Sequence, residues 1–337
     1  MNQTHQLKEA YRKTVDLLRS SSTFLVTSHT DPDGDAVGCM LSISSVLRRL
    51  GKSCNVLCED AIPPSYVFLK GADQVITAED DPRAAACDVA LVVDAATPDR
   101  IGWVSGVVGR CKTVVNIDHH RSNELFGDID VVETEAGACG EIVYRVIREL
   151  GTGLEGDEAE ALYVAILSDT GCFRFPSTTS ETLRIAAHLL DLGVKPSQVA
   201  TRIYWEKSLA SLKILGDALA SIEVTGGGMV ATMDVTQAMY LRSGATNADT
   251  EGFANYPRSI DGVAIGVLIR ETEKGQYRVS LRAAEGYDVD KVARAFGGGG
   301  HATAAGFRIE GDLESIKARI RDQISAQLND GAGSSGQ

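Results

Sequence analysis

The sequence predicts an α/β protein, with an N-terminal, mostly parallel sheet flanked by helices, a helical linker, and a smaller C-terminal α/β domain with a mixed sheet. Three observations carry this reading. In the first half, short apolar runs bounded by turn residues alternate with longer stretches of helical period, the pattern of parallel strands joined by crossover helices. From about residue 181 the period turns helical. Beyond about residue 215 strand-like runs come in pairs around short Gly-containing turns, which marks hairpins.

The elements follow in order. The N-terminal stretch MNQTHQLKEAYRKTVDLLRS is amphipathic and polar, with no signal-peptide core, so a cytoplasmic location is expected. TFLVTS (23–28) reads as a buried strand, and DAVGCMLSISSVLRRLG (35–51) as a helix stopped by Gly51. SCNVLC, CDVALVVD (87–94) and TVVNID (113–118) continue the strands, and 137–150 and 157–168 read as helices. ETLRIAAHLLDLGV and PSQVATRIYWEKSLASLKILGDALASIEV supply helices that bridge to a second unit. IEVTGGGMVATMDV reads as a hairpin with a Gly-rich turn, and GVAIGVLIRETEKGQYRVSLRA as two strands around EKGQ. DLESIKARIRDQISAQL is an amphipathic helix and NDGAGSSGQ a flexible tail. The expected division is a first domain over 1–197, a linker over 198–214, a second domain over 215–330 and a tail over 331–337.

Composition narrows the function. No apolar run approaches the roughly 18 residues that a membrane span needs. Seven cysteines, dispersed and without a CxxC pair, are expected to be reduced and mostly buried. The net charge of −13 disfavours a long nucleic-acid track, which needs many cations against phosphate, but leaves room for a short anionic substrate held by a few local ones.

The chemistry gathers where apolar runs stop. His29, Asp33 and Asp35 follow the first strand in HTDPDGD, and Asp94 ends the run CDVALVVD. Asp118, His119 and His120 end TVVNID, and Asp169 follows an apolar run in LSDTG. Each Asp taken alone reads equally well as a helix cap or turn former. Together they would repel one another unless a polycation lay at their centre. Imidazole and carboxylate donors without thiolate suit two divalent ions, Mn²⁺ first and Mg²⁺ second, rather than structural zinc. In this reading His119 binds a metal, Asp118 orients it from behind, and His120 faces the substrate phosphate.

HTDPDGD, VVDAATPDR, NIDHH and LSDTG resemble, in order and spacing, the four motifs of the DHH phosphoesterases. The resemblance implies that His29, Asp33 and Asp94 hold one metal, that Asp35, Asp94, His119 and Asp169 hold the other, and that Asp94 bridges. It also implies that His120 protonates the leaving group. AFGGGGHATAAGF (295–307) resembles the signature of the DHH-associated C-terminal domain, with Gly298, Gly299 and Gly300 admitting the nucleotide close to the backbone. There Arg282 and His301 would contact the substrate, joined by Asn255 and Arg258 from EGFANYPRS. Overall the chain looks most like the NrnA-type enzymes, which degrade short oligoribonucleotides and dephosphorylate 3′-phosphoadenosine 5′-phosphate (pAp). The resemblance further implies a homodimer, and the charge and the two-domain division together predict a clamp on the substrate end between the two domains. A manganese pyrophosphatase or polyphosphatase stays open as an alternative, as does a nucleotide sensor without catalysis, whose mark would be a substituted ligand.

Overall fold

The computed structural model describes residues 3–332, which fall into two compact units, one ending at Glu206 and the other beginning at Lys207. Among the described residues no helix is long and apolar enough to cross a membrane.

In the first unit, α1 (Gln3–Ser20), β1 (Thr23–Thr27), α2 (Gly34–Arg49), β2 (Ser53–Val56), β3 (Val89–Val93), α3 (Val104–Val108), β4 (Thr113–Asp118) and β5 (Ile129–Val132) lead into α4 (Cys139–Leu150), α5 (Gly156–Asp169), α6 (Ser180–Asp191) and α7 (Pro196–Ala200). The sheet order is β2-β1-β3-β4-β5 and every pairing is parallel. Side chains alternate between faces with the period of a strand. Phe24, Val26, Leu91 and Val93 join the core beneath α1, α2, α4 and α5, while Leu25, Ala90 and Val92 join a smaller core with α3 residues Val104 and Val107. Both faces are thus covered, which is why the central strands β1 and β3 are largely apolar.

Helices α2, α4 and α5 meet with very little side chain between them. A Cβ on Gly38 would lie 2.3 Å from the Ala161 carbonyl oxygen and 2.8 Å from the Ala165 Cβ, and one on Gly140 would lie 2.7 Å from the same Ala165 Cβ. A Cβ on Gly34 would lie 2.0 Å from Ser168 Oγ.

The second unit holds α8 (Leu209–Ala220), β6 (Glu223–Thr225), β7 (Val230–Val235), α9 (Gln237–Ser243), α10 (Asn255–Arg258), β8 (Ile265–Glu273), β9 (Gln276–Ala283), α11 (Val289–Ala295), β10 (Gly299–His301), β11 (Ala304–Glu310) and α12 (Leu313–Ala332). Its sheet runs β10-β11-β9-β8-β7-β6 and is mixed, since β7 and β8 are parallel and the other pairs antiparallel. Val267, Val279 and Leu281 pack with α11 and α12, while Met233, Val235 and Leu268 pack with α8 and α9.

Some elements depart from the sequence reading. The stretch 198–214 is not one helix, because α7 passes into a π-helical turn over Thr201–Trp205 before α8 starts at Leu209. The glycine run is not a loop throughout, because Gly299–His301 forms the edge strand β10. A Cβ on Gly298 would stand 2.1 Å from the Gly306 carbonyl oxygen, and Gly300 has φ +155° with 2.4 Å to that of Ala304. Close approach to β11 therefore already demands glycine at both positions. Helix α12 reaches Ala332, two residues into the expected tail, and 333–337 lie outside the described residues.

Candidate metal centre

In the order β2-β1-β3-β4-β5 the chain leaves β1 toward one edge and β3 toward the other, so the ends of β1 and β3 flank a topological switch point, where ligands of open α/β sheets bind. His29 follows β1, Asp94 follows β3, and Asp118 with His119 and His120 closes β4. Asp33 caps α2, its Oδ1 accepting from the Asp35 and Ala36 amides. The helix-cap reading of Asp33 therefore holds, and Asp33 stays among the candidate ligands. Asp35 is the second residue of α2, and Asp169 is the last of α5.

These side chains converge. Donor atoms of His29, Asp33 and Asp94 lie within 4.8 Å of one another, as do those of Asp35, His119 and Asp169. Asp94 stands between the groups. Its Oδ2 is 3.5 Å from His29 Nε2, and its Oδ1 is 3.5 Å from His119 Nε2 and 3.7 Å from His120 Nδ1. His119 Nε2 is also 3.5 Å from Asp169 Oδ2 and 3.9 Å from Asp35 Oδ2. His29 Nδ1 donates to the Thr30 carbonyl at 2.8 Å and His119 Nδ1 to that of Ala136 at 3.2 Å, which presents both Nε2 atoms to the cluster.

Three features fit a bound cation. Asp94 is buried and its Oδ1 has no hydrogen-bond partner, an arrangement that is costly unless a positive charge satisfies it. Asp94 also holds φ +54°, a left-handed conformation unfavourable for a residue with a Cβ. Asp169 sits at a helix C-terminus, where the helix dipole opposes a negative charge. Asp35 is placed the opposite way, its Oδ2 accepting from the Cys139 amide at 2.6 Å and its Oδ1 from that of Gly140 at 2.9 Å, at the amino end of α4.

The electrostatics are those of carboxylates crowded around imidazoles. Burial and the charges of Asp94 and Asp169 push the Asp35 carboxyl well above the usual range. Burial opposes ionisation of Asp94 too, but the facing imidazoles of His119 and His29, each 3.5 Å away, outweigh it and hold that carboxyl low. Burial disfavours the His29 imidazolium, yet Asp94 and Asp33 push its pKa up to about 9.

The geometry corrects one expectation. Asp118 orients His120, not His119, because its Oδ1 accepts from His120 Nδ1 at 2.7 Å. Residues two apart on extended backbone share a side, whereas Asp118 and His119 point to opposite sides. Asn123 was missed. Its Nδ2 donates to Asp118 Oδ2 at 2.6 Å and to Oδ1 of the buried Asn116 at 2.8 Å. The signal was present in NIDHHRSN, as two asparagines flanking the ionisable triplet.

In the second unit the strand register gathers the expected substrate contacts on one level. Arg282 of β9 lies opposite Gly266 of β8 on one side and Ala304 of β11 on the other, and Ala304 lies opposite His301 of β10. A Cβ on Gly266 would be 2.5 Å from the Arg258 nitrogen, so α10, with Asn255 and Arg258 at its ends, rests on the same row.

Comparison with known proteins gives the class first. The DHH family N-terminal domain model matches residues 23–166 and the DHHA1 domain model matches residues 230–326. "Bifunctional oligoribonuclease and PAP phosphatase NrnA" of Thermus thermophilus is 31% identical over 323 residues, covering 95% of each chain. The Bacillus subtilis protein of the same name is 28% identical, over 90% of this chain and 98% of its own. The crystal structure of an exopolyphosphatase-related protein from Bacteroides fragilis superposes with a TM-score of 0.88 at 25% identity, covering 95% of this chain and 96% of that one. The chain is a phosphoester hydrolase, and it belongs to the DHH family.

Proposed function

We propose that this enzyme hydrolyses short oligoribonucleotides, including linear dinucleotides, to mononucleotides, and pAp to AMP. The names of the Thermus and Bacillus relatives, which match almost end to end, support the substrate class. The observation that carries the chemistry is Asp94, with one oxygen toward His29 and the other, lacking a hydrogen bond, toward His119. His29, Asp33 and Asp94 would hold one divalent ion, and Asp35, Asp94, His119 and Asp169 a second, with Mn²⁺ preferred over Mg²⁺. Such a pair supplies an activated water and neutralises charge developing at phosphorus.

The chain's own residues do the rest. Burial disfavours a charged His120, but its hydrogen bond to the Asp118 carboxylate outweighs that and raises its pKa, so the ring holds a proton for the leaving oxygen. Asn123 fixes the second Asp118 oxygen and so sets the angle of that ring. Arg282 suits the grip of a phosphate, with His301, Asn255, Arg258 and the Gly298–Gly300 backbone as further substrate contacts. A cytoplasmic homodimer completes the proposal.

The test is a parallel assay with Mn²⁺ of pAp, a linear dinucleotide, a longer single strand and pyrophosphate. The expected order places pAp and the dinucleotide first. Turnover greatest on pyrophosphate would replace this reading with a pyrophosphatase.

A further inference from the structure

Away from the metal centre, Cys87 and Cys111 bring their sulfurs to 3.4 Å of each other. Cys87 lies two residues before Val89 and Cys111 two before Thr113, and Val89 and Thr113 are register partners of β3 and β4. The pairing continues beyond the strands, since the Lys112 amide donates to the Cys87 carbonyl at 3.2 Å and the Thr113 amide to that of Asp88 at 3.1 Å. Adjacent strands run roughly 4.8 Å apart, inside the Cα separation that a disulfide spans. Both residues are half-buried and retain solvent access, whereas Cys39, Cys54, Cys58 and Cys139 are buried.

We propose that Cys87 and Cys111 form a reversible thiol-oxidation site that takes a hydroperoxide as oxidant and closes to a disulfide. Cys111 is the attacking sulfur. The Cys87 amide donates to its Sγ at 3.4 Å, a contact that favours the Cys111 thiolate, and the thiol contact with Cys87 lowers the Cys111 pKa against the opposing effect of burial. The Cys111 thiolate attacks the terminal peroxide oxygen, the O–O bond breaks, and alkoxide or hydroxide leaves with a proton from solvent. The Cys87 sulfur then attacks the resulting sulfenic sulfur, forming the S–S bond and releasing water. Two thiols lose two electrons and two protons, and one hydroperoxide becomes one alcohol and one water. The new bond staples the amino ends of the two strands whose carboxyl ends carry Asp94 and Asp118, so it leaves the metal centre untouched.

The experiment treats the full-length protein with about one equivalent of hydrogen peroxide, then uses intact mass and non-reducing peptide mapping. The expected result is a loss of about 2 Da that dithiothreitol reverses, with one peptide linking Cys87 to Cys111. In C87S the reaction should stop at a sulfenic acid on Cys111 that dimedone captures, and in C111S neither species should form. Absence of the linked peptide in wild type, or a disulfide joining another pair, overturns the proposal. Dimedone capture on Cys87 in C111S overturns the assignment of Cys111 as the attacking sulfur.

Discussion

Replacing Asp118 with asparagine separates proton delivery from metal binding. Asp118 is fully buried, and its two oxygens accept from His120 Nδ1 at 2.7 Å and from Asn123 Nδ2 at 2.6 Å. Asparagine keeps the shape and removes the charge. A hydrogen bond to a charged group contributes about 1.5–3 kcal/mol, and one pKa unit corresponds to about 1.4 kcal/mol, so the His120 pKa should fall by about one to two units. The sign is fixed by the role. His120 acts as an acid, its protonated form is present below its pKa, and kcat declines as pH rises through that pKa. In Asp118→Asn the alkaline limb of the kcat profile should therefore move to lower pH by about one to two units. Because both Asp118 oxygens are already engaged, bound metal should stay near the wild-type level. The assay is nucleotide release at saturating Mn²⁺ across the pH range, with metal content measured on the same samples. An unmoved alkaline limb, or a loss of activity that tracks a loss of metal, would refute the assignment of Asp118 to His120.

Asp94→Ala should abolish hydrolysis and lower bound metal more than any other ligand change; near-wild-type turnover would remove the bridging role. Metal uptake should release protons, because His29 is held at about 9 without an ion and a proton there competes with metal at any lower pH, so affinity should rise from pH 6 to pH 8. Calorimetry in buffers of differing ionisation enthalpy reads that release directly. Arg282→Ala should flatten a wild-type preference for substrates of about two to five nucleotides, at a cost of about 1.5–3 kcal/mol for the lost charged hydrogen bond. A ladder from dimer to twenty-mer checks it, and wild-type efficiency rising with length would favour a processive exonuclease. Gly38→Ala should destabilise the fold by about 1–3 kcal/mol, read by urea unfolding, because the new methyl meets backbone rather than a movable side chain.

The sequence showed the centre well because its donors interrupt apolar runs. Asp94 and Asp118 are visible as charges where β3 and β4 stop, and the buried strands leave few other places for them. Strand β5 escaped notice since IDVV is short and only Val131 is buried, so it has neither a continuous apolar run nor a clean alternation. The left-handed backbone at Asp94 was equally hidden, because no local residue type announces it. Asn123 stands in NIDHHRSN as a flanking asparagine, but its position alone does not state its role. Its value lies in a turn that brings it back to Asn116 and Asp118, a contact that chain order does not display. In the second unit the row from Arg258 to His301 depends on strand order, which the hairpins alone left undetermined.

The bare contacts among α2, α4 and α5 bear on the spacing of two candidate ligands. Asp35 enters from the first turn of α2 and Asp169 from the last residue of α5, and the spacing of these helices is set where Gly34 and Gly38 meet Ser168, Ala161 and Ala165. Gly140 presses on Ala165 from the third side, and its own amide, with that of Cys139, holds Asp35. Interaxial distance follows the bulk of the side chains between helices. Magnesium demands short, near-octahedral oxygen contacts, whereas larger ions accept a looser cage. A methyl group added at one of these glycines would push the helices apart and move the Asp35 and Asp169 carboxylates without replacing either.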